Sequence, residues 1–267
     1  IRFIKLLRNI EYDLVIDLQG LLRTNIFTRL ANSKKRISLG SEFCGFLFCN
    51  EIFPRDHKSK RISSEYLALA KHMKFKYEEF EPRFILPKDN EKLVYDKFSF
   101  LNKISSNFFT INPFTTRNKK HWSNLHWNEL VELLIKKYQI KCIVLGGELN
   151  TYQEKLIEIL EDKVINLTGQ TSLIEAAGII NLSRFVVGVD TGLTHMSISL
   201  NKATIALFGN TCPYLDPINQ NSKVMWVNKS CSPCKLLPEN NEVYTCLNGI
   251  HPELIIKEIE KIDKSKH

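Results

Sequence analysis

Five short apolar runs constrain the fold of this chain more than any other feature. They are residues 108–112 (FFTIN), 141–145 (KCIVL), 164–167 (VINL), 185–189 (FVVGV) and 204–208 (TIALF), each separated from the next by a segment with helical spacing. Runs this short, rich in β-branched residues and bounded by glycine or polar turns, read as strands buried on both faces. Helices are predicted over 127–137, over 152–160, from Ser172 onward and again after Asp190. Ser172 with Glu175 has the spacing of a capping box. Alternating strands and helices with short connections dictate a parallel sheet covered by helices on both faces.

A weaker form of the same pattern precedes it. Residues 12–18 (YDLVIDL) read as a strand, 19–31 as a helix, 37–39 as a short strand and 63–73 as a helix. Residues 80–90 carry Pro82 and Pro87 without a period and read as a linker, and a further helix is predicted over 91–103. The fold class is therefore α/β, with two Rossmann-like lobes joined near residue 108: a partial lobe over 1–107 and a second over 108–267. The amphipathic segment 252–262 is expected to be a helix, one that can pack back on the first lobe.

The chain has 267 residues, 43% of them hydrophobic, enough for two packed cores. Its net charge of +8 favours anionic partners, whether a membrane surface, nucleic acid or a phosphorylated small molecule. The basic residues are interspersed along the chain and form no basic–aromatic ladder, which argues against single-stranded nucleic acid. No apolar run reaches the length of a membrane span. Seven cysteines, an odd number, with no export signal visible, fit a reducing cytoplasm, with Cys44, Cys49, Cys142 and Cys212 as free thiols. Cys231 and Cys234, with Cys246 and His251, have zinc-like spacing at the first pair only, which ranks a structural zinc below a cluster of reduced thiols or a local turn brace. The glycine fingerprints of dinucleotide sites and P-loops are absent.

Each of the five runs ends in polar chemistry: Thr115-Thr116 beyond Pro113-Phe114, Gly146-Gly147-Glu148, Thr168-Gly169-Gln170-Thr171, Asp190-Thr191-Gly192, and Gly209-Asn210-Thr211. Open α/β sheets bind ligands at the carboxyl ends of their strands. Turns need such residues in any case, and ordinary turn chemistry accounts as well for the third and fifth ends. At the fourth end, free N–H groups and the helix dipole favour phosphate oxygens, Gly192 permits close approach, and Thr191 adds a hydroxyl donor. Asp190 has three roles open to it: helix cap, ribose acceptor, or partner of a cation. On the helix that follows, Leu193, Met196 and Leu200 are expected to be buried, with Thr194, His195 and Ser199 toward the crevice or a polar edge. In TTRNKKHW (115–122), two hydroxyls precede three basic residues, as a diphosphate would require. Lys119 reads as a surface residue. Lys120 is expected to point inward because Trp122 anchors the loop.

These residues resemble glycosyltransferase family 9, the ADP-heptose:lipopolysaccharide heptosyltransferases. DTGLTH (190–195) with ATIALFGNTCP (203–213) is similar to the family signature, and YDLVIDLQGLLRT (12–24) and LTGQTSL (167–173) match other family stretches. TTRNKKHW resembles the heptosyltransferase I branch, whereas CSPC (231–234) with CLNGI (246–250) is more similar to heptosyltransferase II. The resemblance implies a GT-B architecture and an inverting transfer of heptose from ADP-heptose to the Kdo–lipid A inner core of lipopolysaccharide. No metal or cofactor is implied, nor any nucleic-acid partner. It places the protein in the cytoplasm, peripheral at the inner membrane. It implies donor contacts at Thr115, Thr116 and Lys120 for the diphosphate, with Lys120 stabilising the leaving group. Glu148 is placed at the nucleoside, and Asp190, Thr191, Gly192 and His195 around the phosphates and sugar. Thr171 is the weakest match in type. By analogy the catalytic base, an aspartate, is expected upstream of Ile1, so a chain beginning there is expected to bind donor and transfer poorly. Asp13 and Asp17 are not placed in that role. Two alternatives stay open: a family 9 transferase of another sugar or inner-core acceptor, and a non-catalytic nucleotide-binding fragment.

Overall fold

The computed structural model describes residues 2–42, 44–55, 64–76, 82–105, 107–116, 120–209, 214, 220–227 and 245–264. The chain divides into two compact units, Ile1–Ser59 with Ser63–Phe80, and Lys60–Ile62 with Glu81–His267.

The first unit runs α1 (Arg2–Asn9), β1 (Glu11–Tyr12), β2 (Val15–Asp17), α2 (Leu22–Leu30), β3 (Asn32–Ser33), β4 (Arg36–Leu39), β5 (Glu51–Phe53) and α3 (Ser64–His72). Among the described residues β2, β4 and β5 form one parallel sheet in that order, and β1 pairs with β3. Ile37, Leu39 and Leu69 form its buried core, with Ile16, Phe53 and Met73 packed against them. The loop after β2 begins earlier than the sequence pattern implied. Asp17 Oδ1 accepts from the Gln19 and Gly20 amides at 2.9 and 3.1 Å, and Gly20 turns the chain at φ +68°, which ends the strand and delays the helix to Leu22.

The second unit contains α4 (Asn90–Lys97), α5 (Leu101–Ile104), β6 (Phe108–Asn112), α6 (Asn124–Tyr138), β7 (Lys141–Val144), α7 (Thr151–Leu160), β8 (Val164–Asn166), α8 (Leu173–Leu182), β9 (Val186–Val189), α9 (Gly192–Ser199), β10 (Thr204–Phe208), β11 (Ser222–Trp226), α10 (Thr245–Asn248) and α11 (Pro252–Lys264). Its described strands form one sheet in the order β11-β10-β9-β6-β7-β8, with every pair parallel. Read from β8, this is the doubly wound order of Rossmann folds, whose switch point lies between the first and fourth strands. Here that point falls between β6 and β9, where Ile111 pairs with Val187 and Asn112 with Gly188.

Alternation along β6 sends Phe109 and Ile111 into one core with Trp127, Leu130 and Leu134 of α6. Phe108 turns to the opposite core, with Val94 of α4 and Ile179 and Ile180 of α8. Two sequence expectations differ here. Residues 81–107 group with the second unit, because Val94, Phe98 and Leu101 are buried in its core. The helix expected over 91–103 is broken after Lys97, with Phe98 and Leu101 both reaching that core. The last helix also lies on the second unit. Ile255, Ile259 and Ile262 of α11 enter the α6-side core, and Asp263 holds Arg184 through both carboxylate oxygens at 3.3 and 2.6 Å.

Candidate functional site

The carboxyl ends of β6, β7 and β9 open onto a cavity of about 870 Å³. Phe114, Thr115 and Thr116 reach it from the β6 end, Gly147 to Asn150 with Gln153 from the β7 end, and Asp190, Thr191, Gly192 and His195 from the β9–α9 junction. Lys120 enters from the loop between β6 and α6. All of these residues belong to the second unit.

Local packing holds each arm of this cavity in place. The Trp122 side chain is buried, and its Nε1 donates to Ile250 O at 3.0 Å, so the loop carrying Lys120 is pinned to the body of the unit. His121 Nε2 and Gln153 Nε2 both donate to Thr115 O, at 3.0 and 3.1 Å, which ties the β6 arm to α7. Burial pushes the His121 imidazole below its ordinary value, against the opposing pull of the Thr115 and Pro113 carbonyls. Asn150 caps α7, accepting from the Tyr152 and Gln153 amides at 3.1 and 3.0 Å, while Gln153 Oε1 accepts from the Asn150 amide at 3.1 Å. The turn that presents Glu148 is thereby fixed by a reciprocal cap.

The third arm is the strand-to-helix junction. Thr191 occupies the N-cap position of α9 in an extended conformation without a side-chain cap bond. The space where a Gly192 Cβ would lie holds no neighbour within 4 Å. The first amides of α9 thus face open volume with the helix dipole behind them, an arrangement that attracts anions. Asp190 is not the cap. Its Oδ2 accepts from Lys120 Nζ, and its Oδ1 lies 3.0 Å from His195 Nε2. Of the three roles open to this carboxylate, the structure shows the partnership with a cation. The pair is well shielded, with 15% of the Lys120 side chain and 8% of the Asp190 side chain exposed.

Eight of the nine donor-site residues expected from sequence line this one cavity: Thr115, Thr116, Lys120, Glu148, Asp190, Thr191, Gly192 and His195. Thr171 is not among the lining residues; it precedes the Ser172 cap of α8, half-buried. Thr194 is a correction. It is fully buried rather than turned to the crevice, because α9 lies so close on β9 that a Cβ on Gly188 would collide with Thr194 Oγ1. Two participants escaped the sequence reading. Gln153 carries no local motif beyond a helix start, and Tyr214, whose hydroxyl lies 2.5 Å from His195 Nδ1, is separated from it by 19 residues. Of the cysteines singled out by spacing, Cys246 is buried, while Cys231 and Cys234 lie outside the described residues. Among the described residues no helix is long and apolar enough to cross a membrane.

The family model for glycosyltransferase family 9 (heptosyltransferase) matches residues 1–245. The chain belongs to glycosyltransferase family 9. Within that family it is 25% identical over 273 residues to lipopolysaccharide heptosyltransferase 1 of Campylobacter coli, covering 96% of this chain and 77% of that protein. It is 29% identical over 217 residues to lipopolysaccharide heptosyltransferase 1 of Salmonella typhimurium, covering 77% of this chain and 63% of that protein. Among solved structures, the Escherichia coli heptosyltransferase with ADP-2-deoxy-2-fluoro heptose superposes with a TM-score of 0.66 at 23% identity, over 97% of this chain and 75% of that one. The parallel sheets and these neighbours establish the α/β, GT-B class for this family 9 chain.

Proposed function

We propose that the second unit of this family 9 chain binds an ADP-sugar in the switch-point cavity. The reaction read for it is inverting transfer of heptose from ADP-L-glycero-D-manno-heptose to the Kdo residue of the lipopolysaccharide inner core. One observation carries the reading. Lys120, the hydroxyl-bearing Thr115–Thr116 turn and the uncapped start of α9 converge on one cavity, which Glu148 and Asn150 also line. Its volume of about 870 Å³ lies within the range of small-molecule sites. The diphosphate lies toward Lys120 and α9, and the nucleoside toward Glu148.

The mechanism follows from where charge develops. The acceptor hydroxyl attacks the heptose anomeric carbon from the face opposite the diphosphate, its proton passing to a base on the acceptor side. As the C1–oxygen bond to the diphosphate breaks, negative charge grows on the departing β-phosphate. The Lys120 ammonium, the α9 amides and the threonine hydroxyls are fixed in advance where that charge appears, so they favour the transition state over the bound ground state. Asp190 orients Lys120 and His195 and is not placed as base.

The acceptor side belongs to the first unit, with peripheral contact at an anionic membrane surface. On α1 of that unit Phe3 and Leu6 are exposed beside Arg2, Lys5 and Arg8, a composition suited to such a surface.

The experiment is binding and product analysis. ADP should bind and raise the melting temperature, while UDP and GDP bind more weakly. With ADP-heptose, whatever product forms, even at a low rate, should be on Kdo–lipid A and not on an acceptor that already carries the first heptose. Absence of ADP binding removes the donor reading. Transfer only to the heptosylated acceptor assigns the heptosyltransferase II reaction instead.

A further inference from the structure

His195 stands between two partners. Its Nε2 is 3.0 Å from Asp190 Oδ1, and its Nδ1 is 2.5 Å from the Tyr214 hydroxyl. Tyr214 lies behind the cavity rather than in it: it is buried, its ring meets Phe208 edge-on at 5.3 Å, and it packs with Ile198, Ala206 and Val224. The imidazole itself contacts both the Tyr214 and Phe208 rings, at 5.5 and 5.9 Å.

We propose that Tyr214 is a positioning residue for the donor site, acting through His195 on the orientation of Asp190 and Lys120. The proposal rests on the donor-site reading above. An ionised carboxylate only accepts, so the contact with Asp190 puts a proton on Nε2. In the neutral ring Nδ1 is then the acceptor, and the Tyr214 hydroxyl donates to it. If the ring becomes an imidazolium, Nδ1–H donates and the phenol oxygen accepts. The contact therefore survives either protonation state, and a ring flip would sacrifice both hydrogen bonds at once.

The consequence reaches the cavity. With His195 fixed, Asp190 Oδ1 is engaged and Oδ2 is left to Lys120, so the ammonium has a defined resting place in the cavity that the start of α9 also lines. Without the hydroxyl, the ring can rotate, the carboxylate can rotate with it, and Lys120 is no longer aimed. The hydroxyl of Tyr214 thus acts from outside the cavity lining, as supporting groups behind binding residues do.

Tyr214→Phe removes the hydroxyl and keeps the ring that packs on Phe208. ADP binding is measured in wild type, Tyr214→Phe, His195→Ala and the double variant. Two-bond proton–nitrogen spectra of histidine-labelled, ligand-free protein report the ring nitrogens. In Tyr214→Phe, ADP affinity should fall about tenfold, as loss of one strong hydrogen bond implies, and the His195 nitrogen signals should move toward tautomer averaging. In the His195→Ala background the same change should cost less than about twofold, the non-additivity expected of residues acting in series. Equal losses in both backgrounds, or unchanged ring-nitrogen signals in Tyr214→Phe, overturn the proposal. If wild type fails to bind ADP, the donor reading falls, and the ligand-free nitrogen signals still decide the role of Tyr214.

Discussion

Lys120 and Asp190, 70 residues apart in sequence, form a shielded ion pair across the mouth of the β6–β9 switch point. The pairing resolves a difficulty in the sequence, where a carboxylate stands at a helix start otherwise suited to phosphate. Asp190 holds the cation that a diphosphate needs and keeps it from extending into solvent. An ammonium has three donors, so Lys120 can meet phosphate without abandoning Asp190.

Lys120→Ala should weaken ADP binding by about 10- to 100-fold, the size of a charge-assisted hydrogen bond to phosphate. It should also lower stability by on the order of 1 kcal/mol, since Asp190 keeps His195 but loses its cation in a shielded position. Adding Asp190→Asn should recover the stability and not the binding. Titration calorimetry and urea unfolding of the three variants check both halves; recovery of ADP affinity in the double variant would remove Lys120 from the diphosphate site.

Stability should fall as pH drops below neutrality, and two histidines supply part of the slope. Burial holds His126 below its ordinary 6.5, helped by the neighbouring His251, while Glu129 and Glu253 oppose it. Burial likewise lowers His121. A lowered folded-state value means that the unfolded chain takes up the proton first. The stabilisation is therefore complete above about pH 6.5 and is lost as pH falls through that value toward the lower folded-state one. His126→Phe keeps a ring against Trp122, which it meets at 5.2 Å, and should flatten the dependence of the urea midpoint between pH 7.5 and 5.5. An unchanged slope would show that His126 is not charged differently in the two states.

Ser172→Ala should cost about 1 kcal/mol by removing the cap of α8. Ser172 Oγ accepts from the Glu175 amide at 3.3 Å, the Ser172 amide donates to Glu175 Oε2 at 2.7 Å, and Lys97 holds the same oxygen at 2.8 Å. Glu175 should consequently tolerate the loss of its serine better than an isolated cap would. Comparing Ser172→Ala with Ser172→Ala/Lys97→Ala in thermal unfolding tests this, a larger drop in the double variant being expected.

That cap was readable because both halves lie three residues apart, and FFTIN and TIALF were readable because strands buried on both faces are mostly apolar and do not alternate. What escaped was non-local. In the β11 strand SKVMW, Lys223 interrupts the apolar run, and its pairing with β10 depends on residues 18 positions away. Tyr214 has no motif, and only the fold brings its hydroxyl to His195. The expected donor residues fell into one cavity because strand ends in a parallel sheet share one edge, so their clustering followed from topology. Thr171 fell outside it, and Thr194 was misplaced because helical spacing alone does not reveal which face of α9 meets the sheet.

Gly188 is the position where that packing is most exposed to test. It lies on β9, paired with Asn112 of β6, and a Cβ there would overlap Thr194 Oγ1 and stand 3.0 Å from Asn112 Cβ. Thr194 is fully buried and Asn112 is 1% exposed, so neither has room to retreat. Gly188→Ala should therefore lift the start of α9 off the sheet, at a cost of about 1–3 kcal/mol for overpacking. Because the α9 amides are proposed to meet phosphate, ADP affinity should fall as well, although residue 188 lines no part of the cavity. Thr194→Ala removes the colliding oxygen, so Gly188→Ala/Thr194→Ala should regain stability and ADP affinity together. Melting temperatures and ADP titrations of the single and double variants provide the measurement. Recovery of stability without recovery of affinity would separate the seat of α9 from the binding of the diphosphate.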